Sequence, residues 1–147
     1  MAKALIVYAT RTGETGQIAN LIAEGLRFSA VEVTVANVNE IKSEEALAGY
    51  DAYVFGSPTY HGDMLQPMKQ LLFLAEKAGL QNRVGGAFGA FGWSGEAPER
   101  IFETMKHVFG MNMVGGALML KNSTLGGGIK MAQDYGREIA AKLESPV

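Results

Sequence analysis

The chain contains no cysteine. That excludes disulfides, zinc–thiolate sites, iron–sulfur clusters and a thiol nucleophile, and it suits a reducing compartment. Charge of one sign is not in excess either: 13 Lys and Arg stand against 15 Asp and Glu, a formal net charge of −2. There is thus no basic field to hold nucleic acid and no block of like charge that would behave as a tail. Apolar runs are short. None approaches the length of a membrane span, and the run near the N-terminus is too brief for the core of a secretion signal. No constellation of residues marks a general acid, base or nucleophile. These absences point to a soluble cytoplasmic protein with no membrane or nucleic acid among its partners and no metal site.

What the sequence has in plenty is glycine, 19 of 147 residues, against a background that is 48% hydrophobic. The length suits one domain over residues 1–147 with a good core. The glycines gather at Gly85, Gly86, Gly89, Gly92 and Gly95, at Gly115 and Gly116, and from Gly126 to Gly128. They read as turns, or as places where backbone must come close to something flat. Leu5-Ile6-Val7-Tyr8 and Ala52–Gly56 are β-branched and aromatic runs of the kind that form fully buried parallel strands. Val31–Val35 alternates as an edge strand would, Arg83–Phe91 is a glycine-laden strand, and Met113–Leu120 supplies the last.

Helical spacing fills the intervals. One helix carries Ile18, Leu21, Ile22 and Leu26 on a single face, and a short one runs from Glu40 to Gly49. A third turns Met68, Leu71, Leu72 and Ala75 inward. Pro98 suits the first turn of a fourth, with Ile101, Phe102, Met105 and Val108 as its apolar stripe. The last runs from about Ile129 to Leu143. Strands alternating with helices in this way specify an α/β doubly wound domain with right-handed crossovers.

The first strand runs straight into Thr10-Arg11-Thr12-Gly13-Glu14-Thr15, where hydroxyls and glycine replace apolar residues before the first helix begins. Strand, hydroxyl-rich turn and helix N-terminus together make an anion site, because the N–H groups of the first helical turn point into the loop and the helix dipole favours negative charge there. The plainer reading is that Thr12 or Thr15 only caps the helix. Two large aromatics, Tyr60 and Trp93, fall in turns after the third and fourth strands. Each is either a wall for a planar ligand or local cover for the end of the sheet.

The spacing Thr-x-Thr-Gly-x-Thr after a first buried strand resembles the phosphate loop of the flavodoxin family, which holds the 5′-phosphate of FMN. The glycines of a dinucleotide fingerprint and the Gly-Lys-Ser/Thr of a P-loop are both missing from this turn. The resemblance implies a flavodoxin-like sandwich: a five-stranded parallel sheet in order 2-1-3-4-5, helices on both faces, and FMN where the loops after strands one, three and four converge. Flavodoxins are themselves standard examples of that rule. It further implies that Thr10, Arg11, Thr12, Gly13, Glu14 and Thr15 bind the cofactor from the first loop. Ser57, Pro58, Thr59, Tyr60, His61 and Gly62 would do so from the second, and Ala90, Phe91, Gly92, Trp93 and Gly95 from the third. Arg11 is expected to face solvent.

Phe91-Gly92-Trp93-Ser94-Gly95-Glu96-Ala97 is similar to the corresponding loop in the flavodoxin-like domain of flavodiiron proteins. Those carry a separate His- and carboxylate-rich di-iron domain, and this sequence has only His61 and His107. A second similarity, through Gly56-Ser57-Pro58-Thr59, Gly62, Met64, Met68 and Lys69, is to flavodoxin-like NAD(P)H:quinone oxidoreductases, whose first loop differs. The expected function is therefore a flavodoxin-type carrier, a monomer or weak dimer that moves electrons between redox proteins; the alternatives are the quinone oxidoreductase and a flavin-free module.

Several further residues carry two readings each. His61 could couple flavin reduction to pH or simply face solvent. The peptide around Gly62 is the counterpart of one that flips beside the flavin in many flavodoxins. Glu14, Asp63 and Glu96 would either lower the flavin potential by Coulomb repulsion or serve solubility and helix dipoles. His107, near a helix C-terminus, reads as structural.

Overall fold

The computed structural model describes residues 1–90, 95–121 and 127–144. Phe91, Gly92, Trp93 and Ser94 of the third loop lie outside them, as does the Asn122-Ser123-Thr124 triplet, which has the form of a glycosylation acceptor. The chain begins with β1 (Lys3–Tyr8), α1 (Glu14–Phe28) and β2 (Glu32–Asn37). Next come β3 (Ala52–Gly56), a small hairpin of β4 (Thr59–Tyr60) and β5 (Asp63–Met64), and α2 (Gln66–Ala78). It closes with β6 (Val84–Ala90), α3 (Glu96–Glu103), β7 (Asn112–Met113), β8 (Leu118–Leu120) and α4 (Gly128–Glu144).

The main sheet has the order β2-β1-β3-β6, and β7 and β8 share the place beyond β6, every pairing being parallel. This is the order expected from the sequence, with the fifth strand in two pieces. β1 sends Ala4 and Ile6 into a core shared with α1 and α4, and Leu5 and Val7 into a second core under α2 and α3. Burial on both faces is why that run is apolar without alternation. α1 and α4 cross closely at Gly25 and Gly136, where a Cβ would lie 2.0 Å from the Gln133 carbonyl oxygen and 2.2 Å from that of Ile22, respectively.

Splitting the fifth strand leaves a backbone gap, and α4 fills it. β7 pairs with Val84 and Gly85 of β6, and β8 pairs from Phe88 onward. Between them the Ala87 N–H donates to the Tyr135 hydroxyl at 2.9 Å, and that hydroxyl donates to the Ala87 carbonyl at 3.2 Å. One buried phenol thus replaces the missing strand neighbour, as the pairing rule for buried backbone groups requires.

Three expectations fail in instructive ways. Glu40–Gly49 is not one helix: single 3₁₀ turns form at Val38–Glu40 and Glu44–Leu47. The Asn37 side chain accepts from the Asn39 N–H, and Glu40 accepts from the Asn37 N–H, so the capping box closes after one turn. Val108 does not join the core stripe of Ile101, Phe102 and Met105. After α3 the chain makes a π turn over Thr104–Val108, with Phe109 N–H bonded to Thr104 O at 3.1 Å. The extra residue rotates Val108 outward, while Phe109 stays buried in the core. Ile129, at the start of α4, is likewise exposed.

Tyr135→Phe keeps the ring and strands both Ala87 groups. A loss of about 1–3 kcal/mol is expected, read as a lower denaturant midpoint at unchanged m-value.

Candidate functional site

Past their last residues β1 and β3 stay joined by one more bond, from Ala9 N–H to Gly56 O at 2.9 Å, and then separate. From β1 the chain turns through Thr10–Gly13. The Thr10 hydroxyl accepts the Gly13 N–H at 2.8 Å, which tightens the loop, and Gly13 takes a positive φ of 90° as N-cap of α1. The N-cap residue, Gly13, has no side chain with which to cap α1. The capping reading of Thr12 and Thr15 therefore fails: Thr12 is exposed on the loop, and Thr15 is buried in the first helical turn. An N-terminus left in this state offers its first-turn N–H donors and positive dipole end to an anion.

The segment after β3 is braced from within. The Ser57 hydroxyl donates to Pro58 O and accepts from the Leu65 N–H, at 2.9 and 3.0 Å, while the Ser57 N–H bonds Phe88 O at 3.2 Å. Ser57 thus positions the hairpin that follows. Gly89 permits this brace, since a Cβ there would meet Ser57 O at 2.2 Å. In the hairpin Thr59 pairs with Met64 and Tyr60 with Asp63, and His61 and Gly62 form the turn with φ of 52° and 73°. Two consecutive positive φ values are the mark of a type I′ turn, for which X-Gly is the common sequence. The Thr59 hydroxyl accepts the Ala97 N–H at 3.0 Å, so it supplies the cap that α3's own N-cap, Gly95, lacks.

Arg11 is exposed as expected, but it is not idle. Its guanidinium lies 3.9 Å from the centroid of the Tyr60 ring, and the His61 ring packs edge-on at 4.1 Å. A cation from the phosphate loop and an aromatic from the hairpin are thereby stacked across the space between the two loops. On the far side of the hairpin Asp63 is bound by Lys69 at 2.5 Å and Arg100 at 3.3 Å. The Lys69 hydrogen bond is the main reason its carboxyl sits below the usual range. With two cations on it, Asp63 exerts little net repulsion on a neighbouring ligand. Glu96 approaches the turn, with Oε2 3.7 Å from where a Cβ of Gly62 would lie. Ala90 is buried at the end of β6 and Gly95 starts α3; Phe91, Gly92 and Trp93 between them lie outside the described residues.

Sequence reasoning missed the Arg11–Tyr60 stack, the Thr59 cap and the double ion pair on Asp63. The hairpin did leave a signal, His61-Gly62 between Thr59-Tyr60 and Asp63-Met64.

A parallel sheet of this order, with an uncapped helix start beside its β1/β3 switch point, defines the flavodoxin-like class of mononucleotide-binding proteins. A family model of the flavodoxin domain matches residues 5–110, and the chain belongs to that family. It is 30% identical over 145 residues to a putative diflavin flavoprotein A 3 of Synechocystis, which covers 95% of this chain and 24% of that protein. An NAD(P)H dehydrogenase (quinone) of Archaeoglobus fulgidus is 30% identical over 122 residues, 67% of this chain and 64% of its own. The solved structure of an archaeal flavodoxin superposes with a TM-score of 0.90 at 31% identity, over 97% of this chain and 99% of the other. The chain thus spans less than two thirds of either curated relative. FMN is the cofactor this family membership implies, and the donor set fits it: threonine hydroxyls and helix-start N–H groups for a phosphate, an exposed aromatic for a flat ring. Among the described residues no helix is long and apolar enough to cross a membrane.

The low Asp63 carboxyl has a consequence for pH. A group whose folded value is depressed stabilises the fold above its unfolded value, here near 3.8, and that contribution fades as pH falls through the folded value. Asp63→Asn should therefore flatten the acid limb of a plot of Tm against pH below about pH 4, while above pH 6 the two proteins run parallel; calorimetry between pH 2.5 and 7 reads this out.

Proposed function

We propose that the chain is a flavodoxin-type electron carrier, one FMN-binding unit over residues 1–147 that passes electrons between redox proteins in the cytoplasm as a monomer or weak dimer. The observation that carries this reading is the uncapped N-terminus of α1, faced by the Thr10–Gly13 turn at the β1/β3 switch point. Thr10, Thr12 and Thr15, with the backbone from Gly13 to the first turn of α1, would hold the phosphate. Thr59, Tyr60, His61 and Gly62 would flank the ring system on one side, and Ala90, Phe91, Gly92, Trp93 and Gly95 on the other. Pro58 and Ser57 set the hairpin's position. Glu14 lies at the phosphate end, where its charge opposes the ligand's, and Arg11 offsets it while bracing Tyr60.

FMN, when bound, supplies the redox chemistry. The protein's own part is to bind, orient and shield. The carrier reading is supported by the likeness to a stand-alone archaeal flavodoxin over nearly the whole of both chains. The relative named as a quinone dehydrogenase keeps a second reading in play, an FMN-dependent NAD(P)H:quinone oxidoreductase. Steady-state turnover with NADPH and a benzoquinone separates the two. The carrier reading expects only slow oxidation of NADPH by the protein alone, and fast turnover overturns it.

The phosphate assignment makes its own prediction. Thr12→Val and Thr15→Val should each weaken FMN about tenfold, the loss of roughly 1.4 kcal/mol that one charge-assisted hydrogen bond supplies. Riboflavin, which lacks the phosphate, should bind both variants as it binds the parent protein. Fluorescence titration of the two flavins checks this, and a purified protein that stays colourless with added FMN overturns the assignment.

A further inference from the structure

A groove of about 610 Å³ runs between α2 and the α3–π-turn segment, beginning at the hairpin. Its floor is apolar, made by Met64, Leu72, Phe73, Val108 and Phe109. Phe73 and Val108 are 68% and 59% exposed, although both are large hydrophobics on ordered helical backbone. Val108 is there because the π turn rotates it outward. At the near end the groove is bounded by Asp63, which is paired in the hairpin with Tyr60. An apolar strip that starts at the proposed cofactor site is an interaction surface.

The rim selects the occupant. Asp63, Glu76, Glu99 and Glu103 are set against Lys69 and Arg100, and both of those cations are committed to Asp63. Glu103 holds His107 at 2.9 Å. Glu76 and Glu99 have no ion pair with any described residue. A second copy of this chain is disfavoured, because a two-fold interface lays each acidic rim on the other. A small molecule is disfavoured too: with Phe73 and Val108 this open, the groove cannot enclose most of a ligand's surface. We infer that the α2–α3 groove docks a redox partner protein through an apolar side chain ringed by Lys and Arg, at the hairpin end of the molecule. The redox nature of that partner rests on the carrier reading above; the chemistry of its contact face does not.

The test uses the FMN-saturated, ¹⁵N-labelled protein and reduced mitochondrial cytochrome c, a small haem protein whose apolar haem edge is ringed by lysines. With the flavin oxidised and the haem reduced, the pair can be titrated without net reaction. Amide shifts should centre on residues 72–76 and 99–109 and fade with added salt. Glu99→Lys should weaken binding about tenfold at low ionic strength. Phe73→Ser should weaken it roughly fivefold with the salt dependence retained. Shifts confined to residues 10–15 and 60–62, or affinities unchanged within a factor of two in both variants, overturn the proposal. So does a concentration-dependent dimer that Phe73→Ser dissolves. Absorbance records FMN loading in every sample: failure to take up FMN counts against the carrier reading alone, and the shift map still decides the groove.

Discussion

One hydrogen bond, from Ala9 N–H to Gly56 O, sets the geometry of the functional end of the molecule. β1 and β3 are parallel neighbours, but the segments leaving them pack on opposite faces of the sheet: α1 joins the core of Ala4 and Ile6, and α2 that of Leu5 and Val7. The two chains must therefore part as soon as the ladder stops. The Ala9–Gly56 bond carries the ladder one step past β1 and fixes where that parting happens. Beyond it, β1 and β3 share no further main-chain bond among the described residues. The Thr10 turn and the hairpin each satisfy polar groups locally, as Thr10 does for Gly13 and Ser57 does for Leu65.

Those local solutions leave one set of donors without a side-chain cap. α2 begins with a proline in its first turn, which removes one orphan N–H, and α3 borrows the Thr59 hydroxyl. α1 starts from Gly13, which carries no side chain to serve, with Thr12 before it on the loop and Thr15 inside its first turn. A side-chain cap there would contribute on the order of 1 kcal/mol to stability. A glycine at the N-cap forgoes that contribution, and a helix start of this kind is the geometry that suits an anion.

The extent to which this was legible in the sequence follows from the range of each interaction. β1 and β3 announce themselves because burial on both faces demands an unbroken apolar run, and α1 because its inward face repeats at the helical period. The Thr10–Thr15 turn is legible for the same reason: all its parts lie within six residues of one another. What could not be read depends on distant partners. Arg11 meets Tyr60 only because β1 and β3 are adjacent, and Thr59 caps Ala97 across 38 residues. The gap at Ala87 exists only once β7 and β8 separate, so nothing local in the sequence marks Tyr135 as the residue whose hydroxyl bridges it. Trp93, which the sequence offers alongside Tyr60 as a wall for a planar ligand, lies outside the described residues.

The π turn shows how one residue of register can move a side chain from core to surface. Continued as a regular α-helix, the segment after Glu103 would place Val108, seven residues on from Ile101 and three from Met105, on their stripe beside Phe109. The backbone instead spends an extra residue at Thr104–Val108, keeps Phe109 buried and presents Val108 beside Phe73. An aliphatic side chain left in water forgoes on the order of 1.5–3 kcal/mol of burial, and π turns are themselves uncommon. The fold therefore gives up burial at Val108. What it gains is a continuous apolar strip leading from the hairpin along α2, under an acidic rim. Such a strip leads away from the Thr10–Gly13 turn, so a molecule settled on it would leave that turn uncovered.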